Sequence, residues 1–112
     1  MYEIRHYLSM TEFTMPAYLI SDVSVRDPAA FEMYRTRAAA SIEAFGGHYI
    51  VRGGDITVLE GQRHPSALVI VEFPDTSTVK RWYASKEYAL ALEVRDQALV
   101  RSLILVDGVN GD

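Results

Sequence analysis

Four charged residues set in otherwise apolar, alternating segments carry most of the chemistry open to this sequence: His48 and Arg52 in HYIVR, Asp22 in AYLISDVSV and Glu72 in LVIVEF. A planar arginine fork can hold a carboxylate, enolate or phenolate oxygen through paired N–H donors. An imidazole titrates near neutral pH and can carry a proton, and a neighbouring carboxylate fixes its orientation. Residues 48, 50 and 52 share one face of a regular strand. In that register His48 and Arg52 lie together, Arg52 orients an anion, His48 moves the proton, and Asp22 or Glu72 orients His48. The other register presents Tyr49 and Val51 instead. Arg52 also has a structural reading, an ion pair with Glu60, Glu72 or Asp22. Tyr34, Trp82, Tyr83 and Tyr88 are core aromatics in one reading and ligand contacts in another. Arg95 reads as an ion-pair partner.

Other chemistries fit less well. Without cysteine there is no disulfide framework, thiolate zinc site, iron–sulfur cluster or cysteine nucleophile. His6, His48 and His64 are dispersed, so no metal is expected, and His48 with Glu72 or Asp22 is the one assembly worth inspecting. The glycines of GGHYIVRGG lack the spacing and the Lys-Ser/Thr pair of a phosphate loop, and no Gly-x-Ser-x-Gly elbow is present. No cofactor is expected. A net charge of −4 without a basic stripe argues against nucleic acid. Apolar runs are too short for a membrane span, and the first residues lack the basic start and apolar stretch of a signal peptide, so the expected location is cytoplasmic.

The elements that must position these residues follow from periodicity. Residues 17–25 alternate, with Ala17, Leu19, Ser21, Val23 and Val25 on one face. Asp27-Pro28 starts a helix whose stripe is Phe31, Tyr34, Ala38, Ile42 and Phe45, and Gly46-Gly47 ends it. Residues 48–52 and 56–60 flank Gly53-Gly54-Asp55, either as a hairpin or as one strand with a glycine bulge. Residues 67–73 form the next strand. Pro74-Asp75-Thr76 opens a second helical region, restarted or kinked at Ser85, and residues 99–106 form the last strand. The order is β-α-β-β-α-β, the α+β ferredoxin-like arrangement, in which a four-stranded antiparallel sheet carries two helices on one face.

Two helices cover one face only, yet both faces of the strands at 67–73 and 99–106 are apolar. Either residues 1–14 fold over the second face or a second copy covers it; an isologous homodimer is the expectation. Residues 1–14 read as an extension (tag, leader or docking arm), 15–109 as the domain and 110–112 as a tail.

The series Tyr18-Leu19-Ile20, Asp27-Pro28 with Tyr34-Arg35, Gly46-Gly47, Arg52-Gly53-Gly54, Leu59-Glu60-Gly61, Glu72-Phe73-Pro74, Trp82-Tyr83 with Ser85, Tyr88 and Arg95 resembles, in order and spacing, the domain-of-unknown-function family DUF1330 over about residues 15–109. The resemblance implies a place in the dimeric α/β-barrel superfamily, with two ferredoxin-like sheets face to face, and it favours the bulged strand. It transfers no activity. The wider superfamily includes cofactor-free quinone-forming monooxygenases, lactone isomerases and haem-handling proteins, a link of fold alone. The sequence therefore suggests a homodimer that binds, or performs cofactor-free acid–base chemistry on, a small aromatic or carbonyl acid. The alternative is a non-catalytic dimeric binding or accessory protein with structural polar residues.

Overall fold

The computed structural model describes residues 15–109; the expectations for 1–14 and 110–112 lie outside them. The chain runs β1 (Ala17–Val25), α1 (Pro28–Ala44), β2 (His48–Arg52), β3 (Leu68–Phe73), α2 (Thr76–Tyr83), α3 (Lys86–Ala98) and β4 (Leu99–Asp107). The strands form one antiparallel sheet in the order β2-β3-β1-β4. This is the ferredoxin-like α+β fold expected from the sequence, with the second helical region divided in two.

Local chemistry sets the boundaries. Asp27 caps α1 by accepting from the Ala29 N–H at 3.1 Å, ahead of Pro28. The chain leaves α1 through Gly46, at φ +78°, and the Gly47 N–H returns to the Ile42 carbonyl at 3.0 Å. A Cβ on Gly47 would stand 2.9 Å from both Ile42 Cγ2 and the Phe73 ring, so the helix meets the sheet there only because the side chain is missing. Ser85 divides the second helical region: its hydroxyl donates to the Trp82 carbonyl closing α2 and accepts from the Tyr88 N–H opening α3.

Alternation in β1 and β3 sends Ala17, Leu19, Val23, Val71 and Phe73 toward the helices, where they meet Tyr34, Ala38, Ile42, Val79, Trp82 and Tyr88. Trp82, Tyr88 and Phe73 are fully buried. The opposite sheet face carries Tyr18, Ile20, Leu68 and Ile70, partly covered by one another, and the exposed Val100, Ile104 and Val106 of β4.

The segment after β2 departs from the expectation. Residues 56–60 form neither a hairpin partner nor a continuation of β2. Gly53, at φ +73°, turns the chain away while its N–H still bonds the Leu68 carbonyl at 2.9 Å. The bulge lies earlier, between Tyr49 and Val51: Tyr49 opposes Val71, Val51 opposes Ile70 and Arg52 opposes Val69. One extra residue there exchanges the faces of everything after it.

No helix among the described residues is long and apolar enough to cross a membrane.

Candidate active site: an arginine-lined cavity between sheet and helices

Register builds the site. Arg52 opposes Val69, Val69 opposes Ser21 and Ser21 opposes Leu103, which makes one row across the helix-facing side of the sheet; Val23 opposes Arg101 in the next row. α1 contributes Phe31, Tyr34, Arg35 and Ala38 above this floor, and α2 contributes Trp82. Together they line a partly open cavity of about 250 Å³. Apart from Tyr34, Ser21 and three arginines, nearly every side chain facing it is apolar, and no carboxylate is among them.

The inner polar cluster centres on Arg101. Its Nη1 donates to the Tyr34 hydroxyl and its Nη2 to the Tyr88 hydroxyl, each at 2.5 Å. The two hydroxyls lie 2.8 Å apart and share a hydrogen bond. Both oxygens accept from the guanidinium and one O–H serves the other ring, so one phenolic proton is left over, as are three guanidinium N–H donors. Burial is the main reason the Tyr34 phenol is held well above its ordinary pKa, and Tyr88 adds to it; the Arg101 charge acts in the opposite sense. Arg101 is held more firmly protonated than a free arginine, because the favourable effects of Tyr34 and Tyr88 outweigh the desolvation that opposes them. Ser21 is buried in the middle of the floor, and its hydroxyl makes no side-chain hydrogen bond among the described residues.

Trp82 forms one wall. Its indole N–H donates to the buried Ser41 hydroxyl at 2.9 Å, which donates in turn to the Ala38 carbonyl. Its ring lies against Tyr88 with centroids 4.1 Å apart. The Ser85 double cap brings these two rings together, since it fixes where α2 stops and α3 begins.

At the other end Arg52 stacks over the Tyr49 ring, 4.1 Å from its centroid. Arg35 borders the same end and is paired with Glu32 at 2.7 Å on the solvent side. The Tyr49 phenol is raised chiefly by burial, with Arg52 and Arg35 pulling the other way. Among the described residues Arg52 forms no ion pair with Glu60, Glu72 or Asp22.

The expected grouping of His48 with Arg52 is not formed. His48 precedes the bulge and Arg52 follows it, so they project from opposite sides of β2. His48 Nε2 meets Glu72 Oε1 at 3.0 Å, and the Tyr18 hydroxyl donates to the second Glu72 oxygen at 3.1 Å, on the face away from the helices. The two residues share only the border of a recess along the β2 edge. Asp22 orients neither of them; it pairs with Arg63 at 3.1 Å. Among the described residues no group of three His, Asp or Glu side chains is placed to hold a metal. Tyr34 and Trp82 do face the cavity, whereas Tyr83 is half exposed and stacks behind Trp82 and Tyr88. Arg95 pairs with its neighbour Asp96 at 3.2 Å.

Sequence reasoning missed Arg101 and Ser21. The signal for Arg101 was present: it alternates with Leu99, Leu103 and Leu105 on the helix-facing side of β4, and a charge in phase with a buried stripe needs partners.

Comparisons agree with this fold. A Rhodopseudomonas palustris protein of unknown function superposes with a TM-score of 0.71 at 17% identity, covering 95% of this chain and 93% of that one. A hypothetical Arabidopsis thaliana protein gives 0.59 at 15% identity, with 90% and 93% covered. SnoaB, a cofactor-independent oxygenase from Streptomyces nogalater, gives 0.56 at 16% identity, with 83% and 91% covered. No functionally curated protein matches the sequence. The profile of the family described as Domain of unknown function (DUF1330) matches residues 16–109 and so spans almost the whole described fold; the chain belongs to that family.

Proposed function

We propose that this protein is a cytoplasmic homodimer that binds a small aromatic or carbonyl acid in the cavity between its sheet and helices. The observation that carries the reading is the lining: guanidiniums of Arg35, Arg52 and Arg101 around a mainly apolar space with no carboxylate facing it. Arg35 is balanced by Glu32 on the solvent side, but Arg52 and Arg101 have no carboxylate partner among the described residues, and such positive charge beside apolar walls favours an anion with an apolar body. A cavity of roughly 150 Å³ accepts benzene, so the 250 Å³ here has room for one substituted ring.

The homodimer rests on the second sheet face. On that face Ile20, Ile70 and the exposed Ile104 form an apolar row across three strands, with Leu68, Val100 and Val106 nearby and the His48–Glu72 and Arg63–Asp22 pairs bordering it, and a second copy of the sheet would cover this row.

Binding is favoured over the acid–base scheme built on His48, because His48 faces away from the cavity. One observation keeps cofactor-free acid–base chemistry as a second reading: the spare phenolic proton of the Tyr34–Tyr88 pair beneath Arg101, a donor at hand for a bound enolate. Likeness of fold to a cofactor-independent oxygenase is compatible with it.

A thermal-shift screen of small aromatic and keto acids against their uncharged amides tests the binding reading. Acids are expected to raise the melting temperature and amides to leave it unchanged. Equal responses, or none, would point to the rival reading, an accessory protein whose arginines are structural.

A further inference from the structure

The cavity has two positive ends rather than one. Arg52 enters from β2 and Arg101 from β4, the two edge strands of the sheet. Three interstrand spacings of about 4.8 Å separate those strands, about 14 Å along the sheet. Between them the floor is Val69, Ser21 and Leu103. The ends differ in chemistry. Arg52 is an open fork at the solvent side, stacked on Tyr49, as suits a fully charged carboxylate that keeps part of its hydration. Arg101 is half-buried and backed by the Tyr34 and Tyr88 hydroxyls, so its cluster offers both a charge and a neutral O–H donor. Such a cluster suits a single oxygen, a phenol, enol or carbonyl, that gains anionic character when bound. The Ser21 hydroxyl faces the cavity between the ends, nine-tenths buried and without a side-chain partner among the described residues.

We infer that the ligand is two-ended: a planar ring or conjugated chain with a carboxylate held by Arg52 and, at its far end, a hydroxyl or oxo oxygen held by Arg101 with Tyr34, in the manner of a para-hydroxy aromatic acid. This rests on the cavity reading above and adds to it a second anchoring point.

The test is a calorimetric titration of the full-length protein with 4-hydroxybenzoate, benzoate and 4-methylphenol. The two-ended site binds 4-hydroxybenzoate at least tenfold more tightly than either single-ended probe. Arg101→Met and Ser21→Ala abolish or reduce the advantage of the hydroxyl and leave benzoate within about threefold of wild type, while Arg52→Met removes the advantage of the carboxylate and leaves 4-methylphenol unchanged. Ser21→Ala keeps the test open if Arg101→Met fails to fold. Binding of benzoate and 4-methylphenol without any gain for 4-hydroxybenzoate would overturn the two-ended ligand and leave the cavity reading intact. Failure of all three probes to bind would overturn both.

Discussion

Arg101 on the last strand donates from Nη1 to the hydroxyl of Tyr34 on the first helix at 2.5 Å, joining residues 67 positions apart across the helix–sheet layer. The same guanidinium reaches Tyr88 on the last helix, so one side chain ties three elements together beside the cavity. Removing it should therefore affect both folding and binding. Arg101→Met leaves two buried hydroxyls without their shared donor, and a loss of about 1–3 kcal/mol in urea unfolding is expected. Benzoate should still raise the melting temperature of this variant about as much as that of wild type, while 4-hydroxybenzoate should lose its additional shift.

Tyr34→Phe and Tyr88→Phe separate the members of the cluster. Each should cost about 1 kcal/mol, and the double variant less than the sum, because either change already breaks their mutual 2.8 Å bond. Strict additivity in equilibrium unfolding would show that the two hydroxyls act independently.

Burial also makes the cluster sensitive to alkali. The folded-state Tyr34 pKa is raised above the ordinary 10.0, with desolvation the first cause. A group with a raised folded pKa contributes its stability below the unfolded pKa and loses it as pH climbs toward the folded one. Stability should then be level in this respect up to about pH 10 and decline above it, with Tyr34 ionising later than exposed tyrosines. Urea unfolding between pH 8 and 11 with tyrosinate absorbance checks both, and Tyr34→Phe should flatten the decline.

At the acid end the sign reverses. Asp75 caps α2, accepting from both the N–H and the hydroxyl of Thr78 at 2.7 Å, and these bonds hold its carboxyl below the ordinary 3.8. A lowered folded pKa contributes stability above the unfolded value, lost as pH falls below it. Asp75→Ala should cost about 1 kcal/mol at neutral pH, and the gap from wild type should narrow below pH 4. Circular dichroism melts at the two pH values measure it.

The uncovered sheet face predicts the assembly. Ile104→Asp places a charge where a second sheet would pack, and it should give a monomer by light scattering at micromolar concentration while wild type gives a dimer. A wild-type monomer would leave this apolar face without its proposed partner.

Much of the fold could be read from alternation and caps: Asp27-Pro28, Gly46-Gly47, Asp75 and Ser85 each mark a boundary by a local hydrogen bond or a local φ, and local causes leave local traces. The candidate site was less legible. A bulge within Tyr49-Ile50-Val51 has no residue signature, since the glycines that attract attention lie just after it, yet it alone decides that Arg52 faces the cavity and His48 does not. Residues 56–60 alternate like a strand but leave the sheet because Gly53 turns the chain away. Arg101 could have been found, as its phase with Leu99 and Leu103 was written in the sequence; its tyrosine partners, 67 and 13 residues away, could not.

Trp82 is the sole tryptophan; it lines the cavity, and its indole N–H is bonded to the buried Ser41 hydroxyl. The single indole cross-peak in an amide-correlation NMR spectrum therefore reports on a residue of the cavity wall. Titration with benzoate should move that peak, together with the side-chain N–H of Arg52, along one saturable curve. An indole peak that stays in place while surface resonances shift would contradict an acid-binding cavity between sheet and helices.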